Sequence, residues 1–229
     1  MKLENPFRNL TRPEGFLYAV SVAMVALAGL FGGSSGLLSI AASLIGVTAL
    51  IFVARGEVLG QILTVVFSVF YAIVSYSFRY YGEMITYVGM TAPVAAMSVV
   101  SWLRHPFENS RRVEVARLSG KNIKIMSVLT VAVTVAFYFI LRALGNATLT
   151  ISTLSIATSF LASYLQLFRS PYYAVAYALN DIVLVILWVI AAIDNLQYLS
   201  MVVCFAAFLL NDIYGFYNWK RMQKIQAGN

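Results

Sequence analysis

Two Asn-Asp pairs, Asn180-Asp181 and Asn211-Asp212, lie inside long apolar runs of this sequence. A charged side chain at the centre of a bilayer costs about 2.5–3.5 kcal/mol on insertion scales, so such groups pair with one another or face a polar cavity. A carboxamide both donates and accepts, which suits sugar hydroxyls or a second carboxamide. Helical spacing sets Tyr173, Tyr177, Asn180, Leu184 and Trp188 along one stripe, and Asn211, Tyr214, Gly215 and Asn218 along another. Aromatic faces stack on flat rings and attract a cationic ring further. The candidate binding set is therefore Asn180, Asn211, Tyr173, Tyr177, Trp188, Asp181, Asp212, Tyr214 and Asn218. Its polar and aromatic character suits a nucleoside-like or vitamin-like solute better than a phosphorylated one. A structural role stands beside this for Asp181 and Asp212, which can instead accept from Tyr, Ser or backbone groups between helices. Gln166 reads as a polar tip near the end of its run.

Catalytic chemistry finds little support. The sole histidine, His105, precedes Pro106 in a loop, so neither a Ser–His dyad nor a zinc site inside the apolar runs has an imidazole. No Gly-rich loop ending in Gly-Lys-Ser/Thr is present to cradle a nucleotide phosphate. The single cysteine, Cys204, excludes a disulfide within the chain and a cysteine metal cluster. The expectation is a non-enzyme with no cofactor and no metal.

The elements that hold these residues are membrane spans. With 61% hydrophobic and 11% charged residues, and a mean hydropathy of +0.82, the composition lies outside that of soluble domains. Eight runs, near 15–32, 37–54, 59–78, 84–103, 123–143, 149–168, 172–193 and 196–218, suffice to cross about 30 Å of hydrocarbon as helices. With eight spans, fourteen of the sixteen basic residues fall on one side, leaving Arg79 and Arg142 on the other. The positive-inside rule then puts both termini in the cytoplasm. Anionic lipid beside the basic loops explains the net charge of +7 without a nucleic-acid partner. Tyr80, Tyr81, Tyr198, Trp102 and Trp219, at span ends, read as interface anchors.

The spans repeat. Leu38-Ser39-Ile40-Ala41-Ala42-Ser43 returns as Leu154-Ser155-Ile156-Ala157-Thr158-Ser159 at an offset of 116, and Trp102 returns as Trp219 at 117. Spans two to four and six to eight cross in the same sense, so the repeat is parallel, and an odd unit needs one extra helix to join two copies. The expected fold is an all-α integral membrane protein of about eight transmembrane helices. It comprises a cytoplasmic N-terminus with an extra helix (1–36), a first three-helix repeat (37–104), a basic loop and linker helix (105–148), a second repeat (149–219) and a cytoplasmic tail (220–229). Gly46, Gly89 and Gly215 would let helices approach closely. Pro93 should bend the fourth span.

This order of spans, with Asn180-Asp181, Trp188, Asn211-Asp212-Ile213-Tyr214-Gly215 and Trp219, resembles the PnuC family of bacterial vitamin transporters from about residue 37 onward. The resemblance implies a 3+1+3 fold shared with SWEET carriers, a bacterial cytoplasmic membrane location, and facilitated diffusion of nicotinamide riboside or a similar vitamin or nucleoside. Intracellular phosphorylation would then trap the solute. It also implies that Asn211 binds substrate. Two departures bear on substrate: the family's Trp-x-x-Trp falls on Tyr173 and Ala176, and its glutamine early in the first unit's third helix is absent where Tyr87 and Val88 stand. Thiamine, riboflavin and deoxynucleosides therefore stay open as solutes, as does the role of binding subunit in an ATP-driven vitamin importer. A receptor or assembly protein is a weaker third reading. Partners expected are the solute and membrane lipid, and a homo-oligomer is compatible with the sequence.

Overall fold

A bilayer offers no water to a bare backbone, so a chain this apolar must satisfy its peptide groups within helices. The computed structural model, which describes residues 6–29, 36–77, 80–108, 110–146 and 148–228, shows this. Its helices are α1 (Arg12–Gly29), α2 (Gly36–Ala54), α3 (Val58–Ser77), α4 (Tyr81–Thr86), α5 (Ala92–Arg104), α6 (Gly120–Ala143), α7 (Leu149–Leu167), α8 (Tyr173–Asp194) and α9 (Leu199–Ala227). A π-helical turn, Tyr87–Thr91, joins α4 and α5 into one span. It sits just before Pro93, whose missing N–H frees a carbonyl one turn back. Lys2 and Arg79 lie outside the described residues.

Among the described residues, six helical stretches are long and apolar enough to cross a membrane: α2, α3, α4 to α5, α6, α8 and α9. The other two expected spans fall on α1 and α7. Helix α7 is too rich in hydroxyls to pass on composition, yet Ser152, Ser155, Ser159, Ser163 and Gln166 are all buried against protein. Elsewhere hydroxyls close onto the carbonyl one turn earlier, as Thr64 does to Gly60, Ser68 to Thr64 and Ser98 to Val94.

Helices α2 and α7 end in the same motif. Gly56 N–H donates to Val53 and Glu57 N–H to Phe52; likewise Arg169 N–H donates to Gln166 and Ser170 N–H to Leu165. Each is a Schellman turn with its pivotal residue at positive φ, +56° at Arg169 and +71° at Gly56. The pairs correspond at an offset of 113. The six-residue sequence echo at 116 is thus displaced by three residues, nearly one turn, from the structural match.

The last helix of each unit then bonds the other unit's turn. Trp219 Nε1 donates to the Val53 carbonyl (2.9 Å) and Asn218 Nδ2 to that of Ala54 (2.8 Å). Reciprocally, Trp102 Nε1 donates to Gln166 (3.2 Å) and Ser101 Oγ to Leu167 (3.1 Å). The C-terminal ends of α2, α5, α7 and α9 therefore meet at one end of the bundle, so corresponding helices run in the same direction. We call this the basic end. Trp102 and Trp219 are wholly buried and face each other at 5.4 Å between ring centroids. They are not interface anchors, because each indole N–H is needed by a helix-end carbonyl.

The loop after α5 straps both turns. Val113 N–H donates to Gly56 and Ala116 N–H to Arg169. Arg55, counted above as a loop cation, is 3% exposed and bonds Glu57 (2.8 Å), Glu14 (3.2 Å) and the Asn9 carbonyl. It ties α1 to the first turn and is not available to lipid. Burial draws the Arg169 guanidinium below its ordinary pKa, and Glu114 opposes that. Helix α6 rests on α7 and buries only Leu141 of its own length. Close approach is real at Gly46 and Gly215, where an added Cβ would collide with the Phe208 ring or press on the Tyr173 hydroxyl. Gly89 meets only Ile85 on its own helix, so its expected packing role is absent.

The clasp predicts matched costs. Trp219→Phe and Trp102→Phe each remove one buried donor, worth about 1 kcal/mol. Each should lower the melting temperature in detergent by a similar amount, and the double variant by more than either alone.

Candidate functional site

At mid-bundle, helices from both units line a small chamber of about 40 Å³. Its walls include Gly46 of α2, Thr64 and Phe67 of α3, Tyr87 and Thr91 of the π turn, Ser159 and Gln166 of α7, Tyr177, Asn180 and Asp181 of α8, and Phe208 and Asp212 of α9. Every span of the two expected repeats contributes, the α4–α5 span through its π turn, and α1 and α6 do not. A space this size holds roughly two or three waters, whereas small-molecule sites span about 300–1,000 Å³. In this conformation the side-chain walls are drawn together.

The chamber brings four of the sequence-derived candidates together. Asn180 Oδ1 accepts from Thr158 Oγ1 (2.9 Å) and Ser155 Oγ (3.4 Å). Both contacts are to the amide oxygen. Tyr177 Oη meets Ser163 Oγ at 3.0 Å and donates to Gln166 Oε1 at 3.3 Å. Asp181 and Asp212 hydrogen-bond each other across the α8–α9 contact. Gln166, read above as a polar tip, instead turns into the chamber.

The other candidates lie elsewhere in this conformation. Trp188 stands at the opposite end, where its Nε1 donates to Tyr71 Oη (3.1 Å) and its ring packs on Tyr80 (4.8 Å) and Tyr198 (5.8 Å). Tyr80 and Tyr198, expected as interface anchors, thereby belong to an aromatic plug. Tyr173 packs against Trp219 at 4.9 Å in the clasp. Asn218 bonds the α2 turn, and Tyr214 Oη donates to Glu14 Oε1 (3.0 Å). Asn211 Nδ2 donates to Ser21 Oγ (2.9 Å) and to Ala207, facing α1, while its Oδ1 has no hydrogen-bond partner.

Several polar groups escaped the sequence reading. Gln61 and Glu83 are buried in the first half; both Gln61 polar atoms and Glu83 Oε2 lack a hydrogen-bond partner. Thr91 shares that property and lines the chamber. Thr91 had a signal, being two residues before Pro93. Gln61 had one too, as an amide inside an apolar run.

Paired helical units around a small pocket with a few polar side chains in its wall suit a membrane carrier. A family profile described as Nicotinamide mononucleotide transporter matches residues 36–221. The chain belongs to that family of transporters, the PnuC family. It is similar to a protein of Neisseria mucosa named Nicotinamide riboside transporter PnuC, with 24% identity over 97% of this chain and 86% of the relative. A protein of the same name from Haemophilus influenzae is 24% identical over 78% of this chain and 77% of its own. A crystal structure titled Vitamin B3 transporter PnuC shares the fold, with a TM-score of 0.83 and 23% identity, covering 95% of this chain and 94% of the other.

Chamber and clasp separate by mutation. Asn180→Ala should weaken solute binding by about tenfold or more, the range for a lost buried hydrogen bond. Asn218→Ala should lower the melting temperature while leaving Kd within about twofold. Calorimetry and thermal unfolding on the same preparations check both.

Proposed function

We propose that this chain carries nicotinamide riboside, or a closely similar vitamin or nucleoside, across the bacterial cytoplasmic membrane by facilitated diffusion. Phosphorylation inside the cell then traps the solute, a step performed by another protein. The observation that carries this reading is the small chamber with Asn180 and Tyr177 in its wall, set between two sealed ends. The names of the Neisseria mucosa and Haemophilus influenzae relatives support the solute. Asn180 addresses a carboxamide or sugar edge, Tyr177 stacks, and Asn211 enters the site only if α1 moves aside.

The basic end faces the cytoplasm in this reading, by the charge rule, with both termini on that side. Residues 37–104 and 149–219 act as the two moving units, with 105–148 joining them. Alternating access follows when the clasp at the basic end and the aromatic plug at the other open in turn. The motor-free chain needs no nucleotide.

Purified protein in liposomes should take up nicotinamide riboside without ATP and without response to ionophores. Accumulation that demands an imposed proton or sodium gradient would overturn the uniport. Binding without any flux would favour the subunit of an ATP-driven importer.

A further inference from the structure

On the outside of the bundle, at its basic end, a groove of about 530 Å³ runs between α6, α7 and the last turns of α9. Its wall is mainly apolar, built from Leu118, Ile123, Met126, Leu161 and Leu165. Two cations, Arg117 and Lys220, stand in it, and no acidic residue is among those lining it. Lys220 Nζ lies 4.4 Å from the centre of the Tyr172 ring and donates to Tyr172 Oη (3.2 Å) and Gln223 Oε1 (3.3 Å). Both partners are neutral, so they orient the ammonium without cancelling its charge, and one of its three N–H groups remains. Among the described residues neither cation has a carboxylate partner; Glu114, in the same loop as Arg117, pairs with Arg169 instead (3.9 Å).

Helix α6 buries only Leu141 and leaves Ile123, Val128 and Leu129 exposed, so this side of the bundle faces hydrocarbon. On α7, helical spacing continues the stripe of Leu165 and Leu161 to Leu154, which is also exposed and lies further from the basic end. A ligand that fills the groove is therefore apolar along its length and anionic at its basic end. Free phosphate satisfies the two cations and leaves the leucines uncovered. A zwitterionic phospholipid covers the leucines, but its own ammonium competes with Arg117 and Lys220 for the phosphate. Basic pockets between membrane helices hold anionic headgroups by this combination.

We infer that this groove is a binding site for one anionic phospholipid, its phosphate held between Arg117 and Lys220 and an acyl chain laid along α6 and α7. The site adjoins the clasp. Leu165 and Ser170 belong to the turn that ends α7, Ala116 to the strap across that turn, and Lys220 follows Trp219. The lipid therefore touches three parts of the closed basic end at once and braces it. This holds whichever solute the chamber takes.

Native mass spectrometry of the full chain in detergent would compare dioleoylphosphatidylglycerol, dioleoylphosphatidylcholine and inorganic phosphate. The anionic lipid should bind at least about tenfold tighter than the zwitterionic one, through its two cation contacts. The double variant Arg117→Gln/Lys220→Gln should bring the two lipids to within about threefold of each other. Met126→Trp fills the groove and keeps both cations, so it should weaken binding of both lipids. Phosphatidylglycerol should also raise the melting temperature of the unaltered chain more than phosphatidylcholine does, and lose that advantage in the double variant. Equal affinity for the two lipids, or a preference that survives in the double variant, overturns the inference. Displacement of the lipid by inorganic phosphate also overturns it, by making this a free-phosphate site. So does an assembly of several copies of this chain that excludes the lipid from the groove.

Discussion

Helix ends facing one another across a symmetric seam are the constraint on which this bundle depends. The last carbonyls of a helix have no partner within it. At the ends of α2 and α7 that deficit is met twice over, by a Schellman turn from within and by an indole and a polar side chain from the other unit. Each unit completes the other's helix end. The two cannot part at the basic end without exposing four carbonyls together, and each lost bond costs about 1 kcal/mol. Opening there is therefore all-or-none, as a gate must be. The strap from Val113 to Ala116 adds backbone bonds to both turns and makes the same demand.

Elsewhere in the bundle the polar groups follow one rule. Hydroxyls that face lipid or tightly packed helices close on their own backbone, as at Thr130, Thr134 and Thr153. Ser155 and Thr158 of α7 instead reach Asn180 of the neighbouring α8, within the second unit. The groups left over are few, and two of them, Thr91 Oγ1 and Asp181 Oδ2, share the chamber. Buried polar atoms without partners are costly. Their gathering at one place between the units marks where the chain tolerates that cost.

Periodicity and charge made the helices and their common direction legible, because hydrocarbon dictates both. Asn180, Asp181 and Asp212 were legible for the same reason: polar groups within spans have few acceptable places. Depth was not legible. The stripe from Tyr173 to Trp188 runs along one face of α8, yet its two ends serve the clasp and the plug, some 15 residues apart on a helix that crosses the whole bundle. Face is set by residue spacing; position along the axis is set by which partners lie at that height. The repeat register was misread for a related reason. Composition within α2 and α7 is similar enough that a chance echo three residues out of step outscored the true match, which only the turns at Gly56 and Arg169 reveal.

The two seals differ in kind, and the difference bears on how a solute moves them. The basic end is closed by directional bonds to backbone carbonyls. The other end is closed mainly by ring packing among Tyr80, Trp188, Tyr198 and Tyr71, with one indole hydrogen bond. Ring packing yields by degrees as side chains rotate, whereas the clasp yields only as a unit. The plug also touches the chamber directly, since Tyr71 lies 4.2 Å from Tyr87 and Tyr87 forms part of the chamber wall. Tyr87 opens the π turn, where the helical bonding is already loosened ahead of Pro93. A solute that widens the chamber must push on this ring, and the ring leans on the plug. Parting the rings at one end demands only room, whereas parting the units at the basic end breaks four side-chain bonds to helix-end carbonyls.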